Sequence, residues 1–146
     1  KTAHVIPSLI HKALNSTNGF LKVAGDGSAI RDFIYVEDVV EAILLVIKSK
    51  ETNIPFNIGS GKGISIKELV KIIIKNFKNK KITIKWDKKK PTGDKKRVLN
   101  ISRAKKKIKF FPKTSIQEGI KKTIIWYTQN TNLGLKLGRM YDKKVK

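Results

Sequence analysis

Apolar residues recur along this chain at two spacings, and the switches between them mark its elements. In "HVIPSLIHKAL" they fall at Val5, Ile6, Leu9, Ile10 and Leu14, the spacing of a helix buried on one side. "NSTNG" ends that pattern, and "FLKVAG" then reads as a short strand running into the glycine turn "GDGS". "DFIYV" is aromatic and β-branched, which predicts a strand. Asp38 and Glu41 stand three apart, like a capping box, ahead of the buried helix "VVEAILLVIKS". "PFNIGSG" predicts a strand that ends in a glycine loop, and Ser65 with Glu68 predicts a capping box opening "IKELVKIIIKNF". "KITIKW" alternates as a strand, and "RVLNI" is a short extended piece. Ser102 caps "RAKKKI", and Ser115 with Glu118 caps "IQEGIKKTIIWYTQN".

Strands and helices thus alternate, which predicts an α/β layer structure with parallel pairing. "PFNIGSG" and the helix after it form a βα unit. Its glycine turn lies at a strand's carboxyl end, where open α/β sheets place ligands. The 146 residues suit one domain, which would bury roughly 70% of the surface its unfolded chain exposes. No internal repeat or Gly/Ser linker divides the chain. Residues 1–130 are expected to form the folded region, and 131–146 a basic tail of little periodicity.

Charge complicates this picture. The chain has 33 Lys and Arg against 11 Asp and Glu, a net charge of +22. Lysines are scattered over every predicted element, which favours a compositional trait with nonspecific polyanion binding. The alternative is a standalone basic module that binds nucleic acid with a steep salt dependence. Aromatic residues interleaved with the basic ones would support it. Phe33, Tyr35 and Phe56 instead stand in apolar strand contexts, and Trp126 and Tyr127 on an amphipathic helix, so they read mainly as core.

Other chemistries are excluded outright. There is no cysteine, hence no disulfide or thiolate, and the two histidines make no metal cluster. The longest apolar run, "VVEAILLVI", contains Glu41 and is too short to span a bilayer. No signal-peptide pattern opens the chain, so a cytoplasmic location and no membrane association are expected. The chain starts at Lys1, without Met, inside a helical pattern, as a fragment or processed product would.

Only four of the basic residues are arginine, and Arg31 follows a glycine turn just ahead of an apolar strand. A guanidinium fork there can grip phosphate oxygens bidentately, which lysine cannot. Its rival reading is an ion pair with Asp32, Asp38 or another carboxylate. "KKPTGDKKR", residues 89 to 97, could present cations and N–H groups to a diphosphate, or be a solvated loop. "GSGKG", residues 59 to 63, matches no phosphate-loop spacing and reads as structural. His4, on a helix with an apolar face, reads as a packing or capping residue. No Ser/His/Asp set, dinucleotide fingerprint or Tyr-x-x-x-Lys is present, so these residues alone make no catalytic centre.

Taken in order, "HVIPSLIHKAL", "GDGSAIRDFIYVEDVVEAI", "FNIGSGKGISIKELVKII", "ITIKWDKKKPTGDKKRVLNISRAK" and "PKTSIQEGIKKTIIWY" resemble the C-terminal half of the extended short-chain dehydrogenase/reductases. The likeness is to the NAD(P)-dependent nucleotide-sugar epimerases and dehydratases, and most of all to the GDP-L-fucose synthases. It runs from about His4 to Tyr127. It implies the α/β substrate-binding part of a Rossmann-type fold, without the N-terminal dinucleotide-binding half and its Tyr-x-x-x-Lys. The chain alone would then be inactive. The complete enzyme would use NAD or NADP, act on a nucleotide sugar and form a homodimer.

By resemblance, His4 of "HVIP" touches the cofactor. Lys12 matches a basic substrate contact, and Arg31 of "SAIRDF" the arginine that contacts the diphosphate or ribose. Arg97 follows the "KPTG" loop where the fucose synthases carry a basic substrate contact, and Asp94 matches the ribose-binding aspartate of the epimerases' equivalent loop. Ala24 departs from the family, since the fucose synthases have a tryptophan there near the base. A degenerate partner of such an enzyme, exposing apolar surface and an unpaired sheet edge, is a third possibility.

Overall fold

In a computed structural model of the chain, which describes residues 4–51, 53–78 and 80–130, the first apolar segment is helix α1 (Val5–Leu14). Its buried stripe, Leu9, Ile10 and Ala13, faces the main core. Strand β1 (Phe20–Ala24) follows, buried at Leu21 and Val23. It pairs in parallel with β4 (Thr83–Asp87), Leu21 opposite Ile84 and Ala24 opposite Asp87. Between them in sequence runs α3 (Ile66–Lys75). Leu69, Val70 and Ile73 of α3 are fully buried. The long last helix, α5 (Ile116–Gln129), closes this core with Ile120, Ile124 and Tyr127. The Tyr127 hydroxyl lies 3.1 Å from His11 Nδ1, tying α5 to α1, and burial raises the tyrosine's pKa above its ordinary value.

A second sheet has three short strands. β2 (Ile30–Asp32) lies between β3 (Gly63–Ser65), antiparallel to it, and β5 (Lys96–Arg97), parallel to it. Behind it, α2 (Val36–Lys48) and α4 (Ser102–Ile108) enclose a smaller cluster of Ala42, Ala104, Ile108 and Phe110. The architecture is mixed α/β, as expected. The β2–β3 pair, however, is antiparallel where parallel pairing was predicted.

Several boundaries differ, each for a physical reason. The strand expected at "DFIYV" is Ile30–Asp32, because both its neighbours, β3 and β5, pair there. The chain then leaves the sheet, and α2 begins at Val36 with Tyr35 in the N-cap position. Asp38 is therefore no cap. It is buried in the first turn, where its carboxylate accepts the backbone N–H groups of Lys113 (3.2 Å) and Thr114 (3.1 Å). Glu41 bonds Lys113 Nζ at 2.6 Å instead of completing a box. "PFNIGSG" forms no ladder. Phe56 and Ile58 pack on the smaller cluster, and the strand that precedes α3 is β3.

"RVLNI" contributes only Arg97 to a strand, the end of β5. Ser102 is the first residue of α4, and the side chain of Asn100 accepts its N–H at 3.0 Å. The caps at Ser65 and Ser115 are as predicted, and the Ser65–Glu68 box is reciprocal. Residues 131–146, expected as a basic tail, lie outside the described residues. Among those described, no helix is long and apolar enough to cross a membrane, and no group of His, Asp and Glu could hold a metal.

Candidate functional site

Arg31 sits in mid-β2, so the backbone fixes it on both sides. Its partner in β3 is Ile64 and its partner in β5 is Arg97. Paired residues of a parallel ladder project from the same face, which sets the two arginines side by side. Asp94 lies between them. Its carbonyl accepts from Arg31 Nη1 at 2.8 Å, and its carboxylate meets Arg97 Nη2 at 2.5 Å. Arg31 Nη1 also donates to its neighbour's carbonyl, Ile30 O, at 2.8 Å. The Arg97–Asp94 pair is mostly solvated, with side chains 74% and 60% exposed.

The rival reading of Arg31 required a carboxylate, and the two named for it, Asp32 and Asp38, are engaged elsewhere. Asp32 points to the other face of β2. It accepts Ser60 N–H (2.9 Å), Ser60 Oγ (2.5 Å), Gly61 N–H (3.0 Å) and Leu99 N–H (3.3 Å). Asp38 holds the 113–114 backbone. Arg31 is thus anchored through neutral carbonyls, and its charge is not cancelled by a contacting carboxylate among the described residues. Two N–H groups of "GSGKG", those of Ser60 and Gly61, point into that same carboxylate, a structural use of the loop.

Glycines bring the loops against the arginines. Gly93 has a positive φ of 76°, and a Cβ there would stand 3.2 Å from Arg31 Nη2. Gly27 (φ 80°) is tighter still, since the Trp86 indole fills the space its Cβ would need. Between the glycines of "GDGS", Asp26 accepts the N–H (2.9 Å) and hydroxyl (2.6 Å) of Ser28. Those bonds hold its carboxyl below the ordinary carboxylate range. The carboxyl end of β1, the 92–97 segment and β2 therefore meet in one place. Gly25, just past Ala24, abuts Thr92.

Three of the five predicted site residues, Arg31, Asp94 and Arg97, are brought together. The other two lie on the first helical segment. Lys12 is exposed, with Nζ on the Lys22 carbonyl at 3.3 Å, and His4 occupies the N-cap position of α1. A cleft of about 610 Å³ is lined by Phe33, Ile64, Lys62, Lys71 and the start of α5, and by none of the five. Nothing in the local sequence marks it, because its walls come from Phe33, the "GSGKG" loop, β3, α3, the 112–115 segment and α5. Of the aromatics read as core, Trp126 is half-exposed on α5, while Tyr127 is buried.

The profile of the family described as GDP-mannose 4,6 dehydratase matches residues 2–123, nearly the whole of the described chain. The chain belongs to that family. It is 30% identical over 135 residues to a probable GDP-L-fucose synthase of Oryza sativa subsp. japonica, covering 89% of this chain and 40% of the relative. It is 34% identical over 134 residues to the GDP-L-fucose synthase of Sinorhizobium fredii, covering 88% and 41%. The crystal structure of a UDP-glucose 4-epimerase of Thermotoga maritima with UDP-glucose superposes with a TM-score of 0.75 at 31% identity, covering 90% of this chain and 41% of that one. These are extended short-chain dehydrogenase/reductases of the nucleotide-sugar epimerase/dehydratase type, as the five segments implied. The chain spans about two-fifths of the length of the curated relatives it matches.

Proposed function

We propose that this chain is the substrate-binding part of an NAD(P)-dependent nucleotide-sugar epimerase, dehydratase or reductase, and that it holds the substrate's diphosphate. The observation that carries the reading is the side-by-side placement of Arg31 and Arg97 on β2 and β5, with the glycine loop at Gly93 against them. Two like charges on adjacent strands favour an anion that bridges them, and only the forked cation offers paired donors to phosphate oxygens. Arg97, freed from Asp94, would take one phosphate while Asp94 turns to the ribose hydroxyls. Lys12 would add a cation from the α1 side, and His4 a contact to the cofactor.

The described residues do not by themselves suit a dinucleotide. The glycine loop at residues 59–61, ahead of β3 and the capped α3, donates the N–H groups of Ser60 and Gly61 to Asp32. NAD or NADP, the hydride exchange it supplies, a homodimeric enzyme and a cytoplasmic location belong to the same reading as expectations about the complete enzyme. What this chain contributes is binding and orientation, not proton or hydride transfer.

Calorimetric titration of the chain with UDP-glucose and GDP-mannose tests the proposal, with the nucleosides as controls. The expected result is binding that requires the diphosphate and weakens about 30-fold in Arg31→Ala, the loss of one charge-assisted contact of about 2 kcal/mol. Arg31→Lys should recover only part of it. Equal affinity in wild type and Arg31→Ala would sink the assignment.

A further inference from the structure

The positive charge of this chain is unevenly placed. Residues 1–70 hold eight Lys and Arg against seven Asp and Glu, whereas residues 71–109 hold seventeen against two. A purely compositional bias toward lysine would not leave the first 70 residues nearly neutral. The densest run is 88–97, with six basic residues and one acidic in ten, all of them exposed.

That run borders the arginine pair. It leaves β4 after Asp87, abuts Gly25 through Thr92, meets Arg31 at Gly93 and joins β2 through Lys96 and Arg97. Its nearest acids in sequence are already engaged, Asp87 with Lys22 at 3.3 Å and Asp94 with Arg97 at 2.5 Å. Asp26 contacts Ser28, and those bonds lower its pKa first, with Lys88 adding to the effect from a distance. Lys88, Lys89, Lys90, Lys95 and Lys96 form no salt bridge among the described residues. Like charges so close repel one another, and no contact within the fold offsets that cost. The cost falls beside a candidate anion site.

We propose that the lysines of this run form an electrostatic collar that speeds capture of the dianionic nucleotide sugar without touching it once it is bound. The proposal rests on the functional reading above and divides the labour within it. The arginine forks hold the diphosphate by contact, which sets how slowly it leaves. The lysines are hydrated point charges whose field reaches about 8 Å into physiological salt solution, which sets how fast the ligand arrives. A compact anion suits the run better than a nucleic acid does, because it contains no aromatic residue on which a base could stack.

Stopped-flow mixing of the 146-residue chain with GDP-mannose, labelled on its sugar by a fluorophore, reads arrival and departure separately. Wild-type association should slow at least about tenfold between about 20 mM and about 500 mM salt, while dissociation stays within about twofold. This series needs no variant to fold. Lys88→Gln, Lys89→Gln and Lys96→Gln together should slow association about tenfold at low salt and leave dissociation unchanged. The same loss of charge on α4, in Lys105→Gln, Lys106→Gln and Lys109→Gln, should leave both rates nearly as they were. Arg31→Ala should instead act mainly by speeding dissociation.

Association that ignores salt would overturn the proposal. So would equal slowing by the collar and α4 variants, since net charge and not its placement would then act. A collar variant that loses affinity through faster dissociation would make the lysines contacts, which also overturns it. If that variant kept wild-type association but lost affinity for a single-stranded RNA oligonucleotide, the run would serve nucleic acid instead. No binding at any salt would remove the functional reading and the collar with it. Dissociation that depends on Arg31, with association indifferent to the lysines, would keep that reading and remove the collar alone.

Discussion

The two apolar clusters of this chain are built from similar residues and differ in what surrounds them. The larger is walled by α1, β1, α3 and α5, and its central side chains, Ile10, Leu21, Leu69 and Ile73, are inaccessible to solvent. The smaller is covered on one side by α2, whose other face is a stripe of exposed valine, isoleucine and leucine. The first is a core complete within the chain. The second is a core whose outer wall is itself an apolar surface. The arginine pair stands on the small sheet that joins them, so the candidate site lies where the self-sufficient part of the molecule meets the part that looks outward.

Paired truncations at the same residue size break or sharpen that contrast. Leu69→Ala should cost about 3 kcal/mol, the transfer term plus a cavity that close packing cannot collapse. Ile47→Ala should change stability by no more than about 0.5 kcal/mol, because the side chain is already largely in water. Urea unfolding of both variants checks this. Comparable losses would mean that α2 is covered in the free chain and that the two clusters are not different in kind.

Asp38→Ala examines the joint between α2 and the approach to α5. Its carboxylate is the one buried charge among the described residues, and it satisfies two backbone N–H groups. Removal should cost about 2 kcal/mol, since both donors lose a charged acceptor. Asp38→Asn should cost less, because one acceptor oxygen remains. Hydrogen exchange at the Lys113 and Thr114 amides is the direct measurement. Unchanged protection in Asp38→Ala would show that the carboxylate does not hold them.

Asp38 also shows where sequence reasoning stops. Its spacing to Glu41 looks like a capping box, but its partners are 75 and 76 residues away, and no local pattern reports them. Asp32 appeared only as a rival for Arg31, although its carboxylate organises the 59–61 loop and residue 99. "PFNIGSG" has a strand's alternation, yet a strand also needs a partner, and among the described residues it pairs with none. Conversely, Arg31 could be found because arginine is scarce here and follows a glycine turn. Arg97 and Asp94 were placed with it by the resemblance, and their meeting depends on the β2–β5 pairing. The Ser65 box was legible for the simplest reason, that all of its atoms lie within four residues.

That box gives the smallest effect and the most direct check of a purely local device. Ser65 donates its N–H (3.1 Å) and hydroxyl (2.7 Å) to Glu68, and Glu68 N–H returns a bond to Ser65 Oγ (3.2 Å). These bonds, with Lys71 nearby, hold the Glu68 carboxyl below its ordinary value against a slight opposing effect of burial. A folded-state pKa that is lowered adds stability above the unfolded value, near about 4.3 for glutamate, and that stability is lost as pH falls through the folded value. Glu68→Gln should therefore melt slightly below the wild type at neutral pH, and the gap should close in acid. Asp26 titrates in the same direction but is present in both proteins, so it drops out of the difference. A gap that widened as pH fell would mean that the box is held by the neutral acid, and that α3, the central helix of the closed core, begins on something other than this carboxylate.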